Sequence, residues 1–325
     1  MKALYYDRYG GPEVLEVREL PEPVPAAGEV LVRVRAAALN RSDWENLVGR
    51  PAYARLAGGL LRPRRRILGS DFAGEVVGVG ADVTRFAVGD QVFGDVMYRG
   101  DPTFAEFLRF PEDATVTHLP SGLSFEQATP LPQAGTIARQ GLEGVGPGSR
   151  VLIVGGGGAT GLFAIQLAVA AGAVVSASDS AEKLATMRAL GAAEAFDYRS
   201  YDLLESGKRF DFILDPIAGL SVSSALRLLD RRGRYLVVGG PVGPVLATAL
   251  LGLVYRPGGR RLGMLFVQPS VEALDELAGM VKSGALSVPI EGTYRLEQLP
   301  DALRRLGAGE AVGRLVLSLG AGASA

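Results

Sequence analysis

Three glycines and one acid carry the clearest chemical signal in this chain. Gly156, Gly158 and Gly161 stand at G-x-G-x-x-G spacing inside Val151-Leu-Ile-Val-Gly-Gly-Gly-Gly-Ala-Thr-Gly-Leu-Phe-Ala-Ile-Gln-Leu-Ala, and Asp179 lies downstream. In such a turn the first glycine permits the bend, the second lets backbone approach a pyrophosphate, and the third lets a helix pack closely on a strand. The helix entered at Ala159 and Thr160 starts with unpaired N–H groups and the positive end of its dipole, a seat for two phosphates. An acid about 20 residues beyond the turn accepts hydrogen bonds from the adenine ribose and repels a 2′-phosphate. With Gly157 inside the turn, the constellation points to a dinucleotide. In a chain with 44 glycines, the alternative is a glycine-rich loop of a doubly wound sheet that binds something else or nothing.

For these groups to meet, one strand must deliver the turn and a second must deliver Asp179. Residues 151–154 are short, apolar and β-branched, 161–171 read as an apolar helix, and 174–177 as the second strand of a βαβ unit. The alternation continues with strands at 195–196, 210–214, 235–238 and 263–267, and helices at 181–190 and 220–229. Six strands is the full dinucleotide-binding count. Upstream, short strands separated by Gly and Pro read as a mainly β, barrel-like domain. Ser124 and Gln127 form a capping box that opens a helix. After Pro269 come helices at 271–282 and 299–306 and a strand, Gly313-Arg-Leu-Val-Leu-Ser-Leu, with no place left in the six-stranded sheet, so it is expected to return to the first domain. The fold class is α/β: a Rossmann-type doubly wound parallel sheet over 125–268, with a mainly β domain built from 1–124 and 269–325. The Gly/Ala tail after Leu319 is expected to be mobile.

Composition sets the outer bounds. A length of 325 residues favours two domains. Hydrophobic residues at 48% and charged ones at 21% supply packed cores with no disorder signature. A net charge of -1 argues against a nucleic-acid partner. The absence of cysteine excludes disulfides and thiolate chemistry. No signal-peptide pattern opens the chain, and the longest apolar stretch, 245–255, is far shorter than the roughly 20 residues of a membrane span. The expectation is a cytoplasmic protein with a small-molecule substrate and no membrane partner.

Several blocks, in order, resemble the medium-chain dehydrogenase/reductase superfamily, in particular its zinc-independent quinone oxidoreductase branch. They are Gly10-Gly-Pro-Glu-Val-Leu, Ala38-Leu-Asn-Arg-Ser-Asp, Leu68-Gly-Ser-Asp-Phe-Ala-Gly-Glu, Phe86-Ala-Val-Gly-Asp-Gln-Val-Phe-Gly, Pro130-Leu-Pro-Gln-Ala-Gly-Thr, the glycine turn, Phe210-Asp-Phe-Ile-Leu-Asp and Gly313-Arg-Leu-Val-Leu. The resemblance implies a GroES-like catalytic domain split around the nucleotide domain, an active site in the cleft between them, and a homodimer whose nucleotide domains meet edge to edge. Zinc-dependent relatives bind metal through a cysteine, a histidine and a further ligand. Here those positions appear as Asn40 and Gly69-Ser70-Asp71. With no cysteine and only His118, no N/S ligand set for zinc can be assembled, and no metal is expected. His118 itself reads as a surface residue. Without a Lewis acid, good hydride acceptors are those activated by conjugation. The chain is therefore expected to be a zinc-independent NAD(P)H oxidoreductase acting on a quinone or an α,β-unsaturated carbonyl. The alternatives are an enoyl-thioester reductase and a nucleotide-binding sensor without turnover.

The resemblance also assigns residues. Asn40 is a donor to substrate or ribose, or a loop cap. Asp43 is a proton relay or, with Ser42, the cap of a short helix. Trp44 lines an aromatic slot or packs in the core. Tyr53 is the candidate proton donor, displaced by a couple of residues from the tyrosine that acyl-thioester reductases use. Thr136 resembles a threonine near the nicotinamide, and Tyr198 a tyrosine near the adenosine. Gly239 and Phe266 join the cofactor set, with Ser180 and Lys183 beside Asp179. Lys183 either reaches a phosphate or faces solvent, and Glu182 sits where the resemblance would place an arginine in a near relative. Repulsion by Asp179 leans the choice slightly to NADH, whereas zinc-free reductases usually prefer NADPH. Two basic clusters, Arg62-Pro-Arg-Arg-Arg66 and Arg256-Pro-Gly-Gly-Arg-Arg261, read as solvated loops or as a rim for an anionic substrate arm such as coenzyme A.

Overall fold

The computed structural model describes residues 1–97, 99–254 and 257–320, without the side chain of Ala57. Arg256 of the second basic cluster, Tyr255 at the end of the apolar stretch, and the tail 321–325 lie outside the described residues. The chain divides into two compact units, Met1–Gln133 with Pro269–Ala325, and Ala134–Gln268.

In the first unit, β1 (Lys2–Tyr5) and β2 (Glu16–Glu19) form an antiparallel pair. The spine of its main sheet is β3 (Glu29–Ala38), whose Val30, Val32, Val34 and Ala36 are buried on one face, as a period of two requires. Helices α1 (Arg41–Val48) and α2 (Ala52–Gly58) follow, then β4 (Asp71–Val79), β5 (Gln91–Asp95), β6 (Phe107–Pro111), β7 (Thr115–His118) and α3 (Phe125–Ala128). Ser124 and Gln127 do form the capping box that opens α3. Helix α3 packs on β3 and β4, so the chain leaves this unit after Gln133, later than the sequence boundary at 124.

The second unit runs α4 (Thr136–Gly141), β8 (Arg150–Val154), α5 (Ala159–Ala170), β9 (Val174–Asp179), α6 (Leu184–Ala189), β10 (Glu194–Asp197), β11 (Phe210–Asp215), α7 (Val222–Leu228), β12 (Leu229–Val237), α8 (Val242–Val254) and β13 (Arg261–Met264). Its six strands are parallel, in the order β10-β9-β8-β11-β12-β13. Counted from β8, that is the 3-2-1-4-5-6 order of a dinucleotide-binding sheet. Helix α8 was not foreseen: its sequence is apolar all round and offers no period to read. Only its Thr248 is buried.

The chain then returns to the first unit through α9 (Val271–Lys282), β14 (Ile290–Tyr294), α10 (Leu299–Ala308) and β15 (Arg314–Ser318). Strand β15 lies between β14 and β3 in the sheet order β14-β15-β3-β4-β5-β7, so the last strand does come back to the β domain. Among the described residues no helix is long and apolar enough to cross a membrane.

Candidate active site

Strand β8 ends beside β11, at the point where the strand order reverses. Ligands of doubly wound sheets bind outside the carboxyl ends of the strands at this switch point. The turn begins with Gly155 at φ +70, the left-handed region that favours glycine. Gly158, by contrast, is extended (φ -82, ψ 171) and caps α5 without a side-chain acceptor, so it carries no backbone strain. A Cβ there would meet only Gly155 O, at 3.3 Å, whereas one at Gly161 would lie 2.3 Å from Gly155 O and 2.6 Å from Gly156 Cα. Gly161 therefore sets the close approach of helix and turn, and Gly158 keeps the outer side clear. The first N–H groups of α5, at Ala159 and Thr160, have no intrahelical acceptor and suit an anion. These residues fit a dinucleotide pyrophosphate.

Gly158→Val is accordingly expected to leave the fold intact and to weaken both NADH and NADPH by more than about ten-fold, the loss of one charge-assisted hydrogen bond. Gly161→Val is expected to unfold the second unit. Calorimetry with circular dichroism checks both. Unchanged affinity in a folded Gly158→Val protein would remove the turn from phosphate binding.

Asp179 ends β9 and faces the turn. Its Oδ2 accepts the Gly157 N–H at 3.0 Å, and its Oδ1 accepts the Ser180 N–H at 2.8 Å. Lys183 Nζ lies 3.3 Å from the same Oδ1, with both side chains mostly buried. The lysine stem crosses Gly157, where a Cβ would meet Lys183 Cβ at 2.5 Å. Lys183 thus does not face solvent; it closes on Asp179 and balances its charge. That corrects the simple repulsion argument against a 2′-phosphate.

Ser180, Tyr198, Gly239 and Phe266 follow strands at the same carboxyl end of the sheet. Ser180 is buried and precedes the short turn Ala181–Lys183 without a side-chain capping bond. Tyr198, exposed after β10, donates its N–H to Asp179 O at 3.1 Å. Arg199, which the sequence reading overlooked, donates to the Tyr198 hydroxyl at 3.3 Å and pairs with Glu182 at 3.7 Å. Gly239 follows β12 and exposed Phe266 follows β13. Asp215, the last residue of the Phe210-Asp-Phe-Ile-Leu-Asp block, ends β11 and accepts the N–H groups of Gly219 and Leu220 and the Tyr235 hydroxyl. It fixes a loop in which Ala218 adopts φ 50. Thr136 opens α4, and its Oγ1 is buried with no hydrogen-bond partner among the described residues.

In the first unit a second polar cluster forms where the end of β3, the start of β4, the end of β5 and the start of β15 meet. The β15–β3 register, Val316 opposite Ala38, carries Arg314 to Asn40. Arg314 is fully buried and donates through Nη2 to Asn40 Oδ1 at 2.9 Å. Asn40 Nδ2 donates to Asp71 Oδ2 at 3.0 Å, and the Gln133 N–H reaches the same oxygen at 3.3 Å. Asp43 accepts the Asn40 N–H at 2.7 Å and the Gly69 N–H at 3.0 Å. The cap of α1 is therefore Asn40, with Asp43 at the third helical position, and not Ser42 or Asp43.

Burial pushes Asp43 up to about 7, against the pull of the two N–H donors and Arg314. Burial, and then the charge of Asp95 opposite it on β5, raises Asp71 well above the carboxylate range. Burial also lowers Arg314 to about 10, opposed by Asp71 and Asp43. Asp43 and Asp71 share one buried guanidinium, so the cluster holds a proton near neutral pH. Both oxygens of Asp43 are spent on backbone N–H groups, which makes it a positioning residue for Asn40 and Gly69.

Trp44 packs against the core and over α10, where a Cβ on Gly307 would lie 2.5 Å from its ring. This is the packing reading, not the aromatic slot. Tyr53, on α2, donates to Glu45 Oε2 at 3.3 Å with its ring partly exposed. His118 is exposed on β7 and lies 3.1 Å from Asp90. Among the described residues no group of three or more His, Cys, Asp or Glu side chains is placed to hold a metal.

Comparison with known proteins agrees with this geometry. Residues 26–121 match the alcohol dehydrogenase GroES-like domain family, and 190–317 match the zinc-binding dehydrogenase family. The chain is 30% identical to the chloroplast envelope quinone oxidoreductase homolog of Arabidopsis thaliana, covering 98% of each chain. It is also 30% identical to the 2-methylene-furan-3-one reductase of Solanum lycopersicum, over 98% of this chain and 79% of that one. Among solved structures, the quinone oxidoreductase of Coxiella burnetii superposes with a TM-score of 0.87 at 30% identity, covering 98% of this chain and 99% of that one. The Escherichia coli quinone oxidoreductase complexed with NADPH gives 0.86 at 25%, covering 98% and 100%. The CurK enoyl reductase gives 0.83 at 25%, covering 98% of each.

Proposed function

The chain belongs to the medium-chain dehydrogenase/reductase superfamily, in its zinc-independent quinone oxidoreductase branch, and we propose on that premise that it reduces quinones and α,β-unsaturated carbonyl compounds with NAD(P)H. The observation that carries this reading is the glycine turn at the sheet's switch point, tied through the Gly157 N–H to Asp179. When bound, the nicotinamide supplies the hydride. The chain's own residues do the rest. The N-terminus of α5 takes the pyrophosphate, Asp179 takes the ribose, and the Arg314–Asn40–Asp71 cluster fixes the loop that begins α1. The test is oxidation of NADH and NADPH against a simple quinone, an enone and an enoyl-coenzyme A, with and without a chelator. Turnover of the first two, unaffected by chelation, is expected. Cofactor binding without turnover of any acceptor overturns the proposal. An enoyl thioester is the second reading, favoured by the likeness to CurK; it prevails if that substrate outcompetes the quinone.

Tyr53 is our choice of proton donor. Burial raises the pKa of its partner Glu45, against the pull of Arg41 and of the Tyr53 hydroxyl that donates to it, and that hydroxyl carries the proton offered to substrate. Tyr53→Phe is expected to lower enone reduction by about 10²-fold, the lower range for general-acid catalysis. Quinone reduction should hardly change, because a reduced quinone takes its protons from water. Equal losses on both substrates would assign Tyr53 to positioning instead.

Both cofactors are accepted in this reading, with NADH modestly preferred because the carboxylate at Asp179 suits free ribose hydroxyls. A cytoplasmic location is part of this reading. The active form is a homodimer joined through the nucleotide-binding units. Strand β13 is a sheet edge, and an uncovered edge invites pairing. Beside it, α8 exposes Val242, Leu246 and Leu250 along one face. Light scattering at micromolar concentration should give a dimer, and Leu246→Arg with Leu250→Arg a monomer. A wild-type monomer refutes this assembly.

A further inference from the structure

The basic cluster at residues 62–66 does no work in the reduction proposed above, and its surroundings are unusual. From Pro51 to Arg66 the chain contains five arginines and no acid. Helix α2 ends in a compact loop closed by the Arg64 N–H to Gly58 O at 2.7 Å, with the Tyr9 hydroxyl donating to Gly59 O. Pro63 is buried and anchors the loop, yet the leucines around it are not. Leu56 is 74% exposed, Leu60 66% and Leu61 86%. Arg62, Arg64, Arg65 and Arg66 are all exposed on the same loop. Arg55 is occupied by Gly49 O and the Tyr9 ring, and Arg66 by the Tyr5 hydroxyl. Arg65 feels the charge of Asp95. Arg62 and Arg64 take no ion pair among the described residues.

We propose that this loop docks the protein on an anionic lipid surface, with Leu56, Leu60 and Leu61 entering the headgroup boundary and Arg62, Arg64 and Arg65 meeting the lipid phosphates. Exposed leucines contiguous with exposed arginines, of which Arg62 and Arg64 take no ion pair among the described residues, are complementary to a surface that is negative outside and apolar just beneath. A soluble anion such as coenzyme A would use the arginines but leave the three leucines in water, and a neutral protein surface would use the leucines but leave the arginines unpaired. Docking through a surface loop needs no spanning segment, so the shortness of the apolar stretches does not oppose it. Docking is independent of the substrate, although it would bring a reductase to the phase in which lipid-soluble quinones dissolve.

The test is co-sedimentation of the full chain with vesicles of phosphatidylcholine containing one quarter phosphatidylglycerol, and with pure phosphatidylcholine. Binding is expected on the first and not the second, and is expected to fade as salt rises. Each arginine near an anionic surface is worth roughly five-fold in binding, so Arg62→Ala with Arg64→Ala should weaken it about 25-fold. Leu60→Ser with Leu61→Ser should weaken it on the order of ten-fold. Reduction of a water-soluble quinone should be unchanged in both variants, which also shows that they are folded. Failure of that reduction in the wild type would count against the proposed function and leave the vesicle result to stand by itself. The inference is overturned by wild-type protein that ignores anionic vesicles at low salt, by equal binding to both vesicle types, or by binding that neither variant weakens. Displacement from the vesicles by micromolar coenzyme A would assign the arginines to a soluble anion instead.

Discussion

Arg314→Met is expected to destabilise the first unit by about 3–5 kcal/mol, the usual cost of removing one partner from a buried charged pair. The loss should be greater at pH 9 than at pH 6. Methionine fills much of the arginine's volume but leaves Asn40 Oδ1 without its donor and the buried Asp71 and Asp43 without their cation. The folded pKa of Asp43 is raised to about 7 from an ordinary 3.8. The stability that its proton contributes is therefore complete below the ordinary carboxyl range and lost as pH rises through about 7. Asp71 shifts in the same direction. Arg314 pulls both groups down, so its removal raises them further and carries the loss to higher pH. Trp44, the single tryptophan, lies one residue from Asp43 and reports unfolding of this unit by fluorescence. Asp71→Asn is the control. Its amide oxygen can keep the donors from Asn40 and Gln133, and its NH2 takes the place of Oδ1, which has no hydrogen-bond partner among the described residues. It should flatten the pH dependence and recover part of the loss in the Arg314→Met background. A loss that is independent of pH and untouched by Asp71→Asn would mean that Arg314 acts through packing alone.

That cluster shows where the sequence stops being readable. The glycine turn, Asp179 and the Ser124–Gln127 cap are local patterns, and local physics decides them, so they appear where the spacing puts them. The last strand was legible by elimination, because the six-stranded sheet had no vacancy. Arg314 was not legible. An arginine in Gly313-Arg-Leu-Val-Leu makes sense only beside Asn40, a partner 274 residues away; the sole local hint is a charge opening an otherwise apolar strand. Asn40, Ser42 and Asp43 all suit a helix cap, and only the contacts with Gly69 and Arg314 choose among them. Trp44 was equally open until Gly307 came to lie against its ring. That Lys183 is buried against Asp179 was not legible either, because nothing in its spacing says that it folds back over Gly157.

The folded-back lysine makes cofactor choice the sharpest test of the second unit. Asp179 and Lys183 lie 3.3 Å apart and nearly cancel, so neither charge acts fully on a 2′-phosphate. Removing either should therefore move the NADH to NADPH ratio of kcat/KM in opposite directions. Lys183→Met leaves an unbalanced carboxylate against the phosphate and should raise the preference for NADH by roughly ten-fold, about 1.4 kcal/mol. Asp179→Ser removes the ribose acceptor, a loss of about 1.5–3 kcal/mol for NADH, and releases the ammonium of Lys183 for the phosphate. The preference should then pass to NADPH, a swing on the order of 10²-fold. The serine hydroxyl can still accept one of the N–H bonds now made by Gly157 and Ser180, so the turn should keep its shape and the change should fall on specificity. The double variant, with both charges gone, should discriminate little. If Asp179→Ser alone leaves the ratio unmoved, the carboxylate serves only the turn, and the adenine ribose must be read from the side of Tyr198 and Arg199.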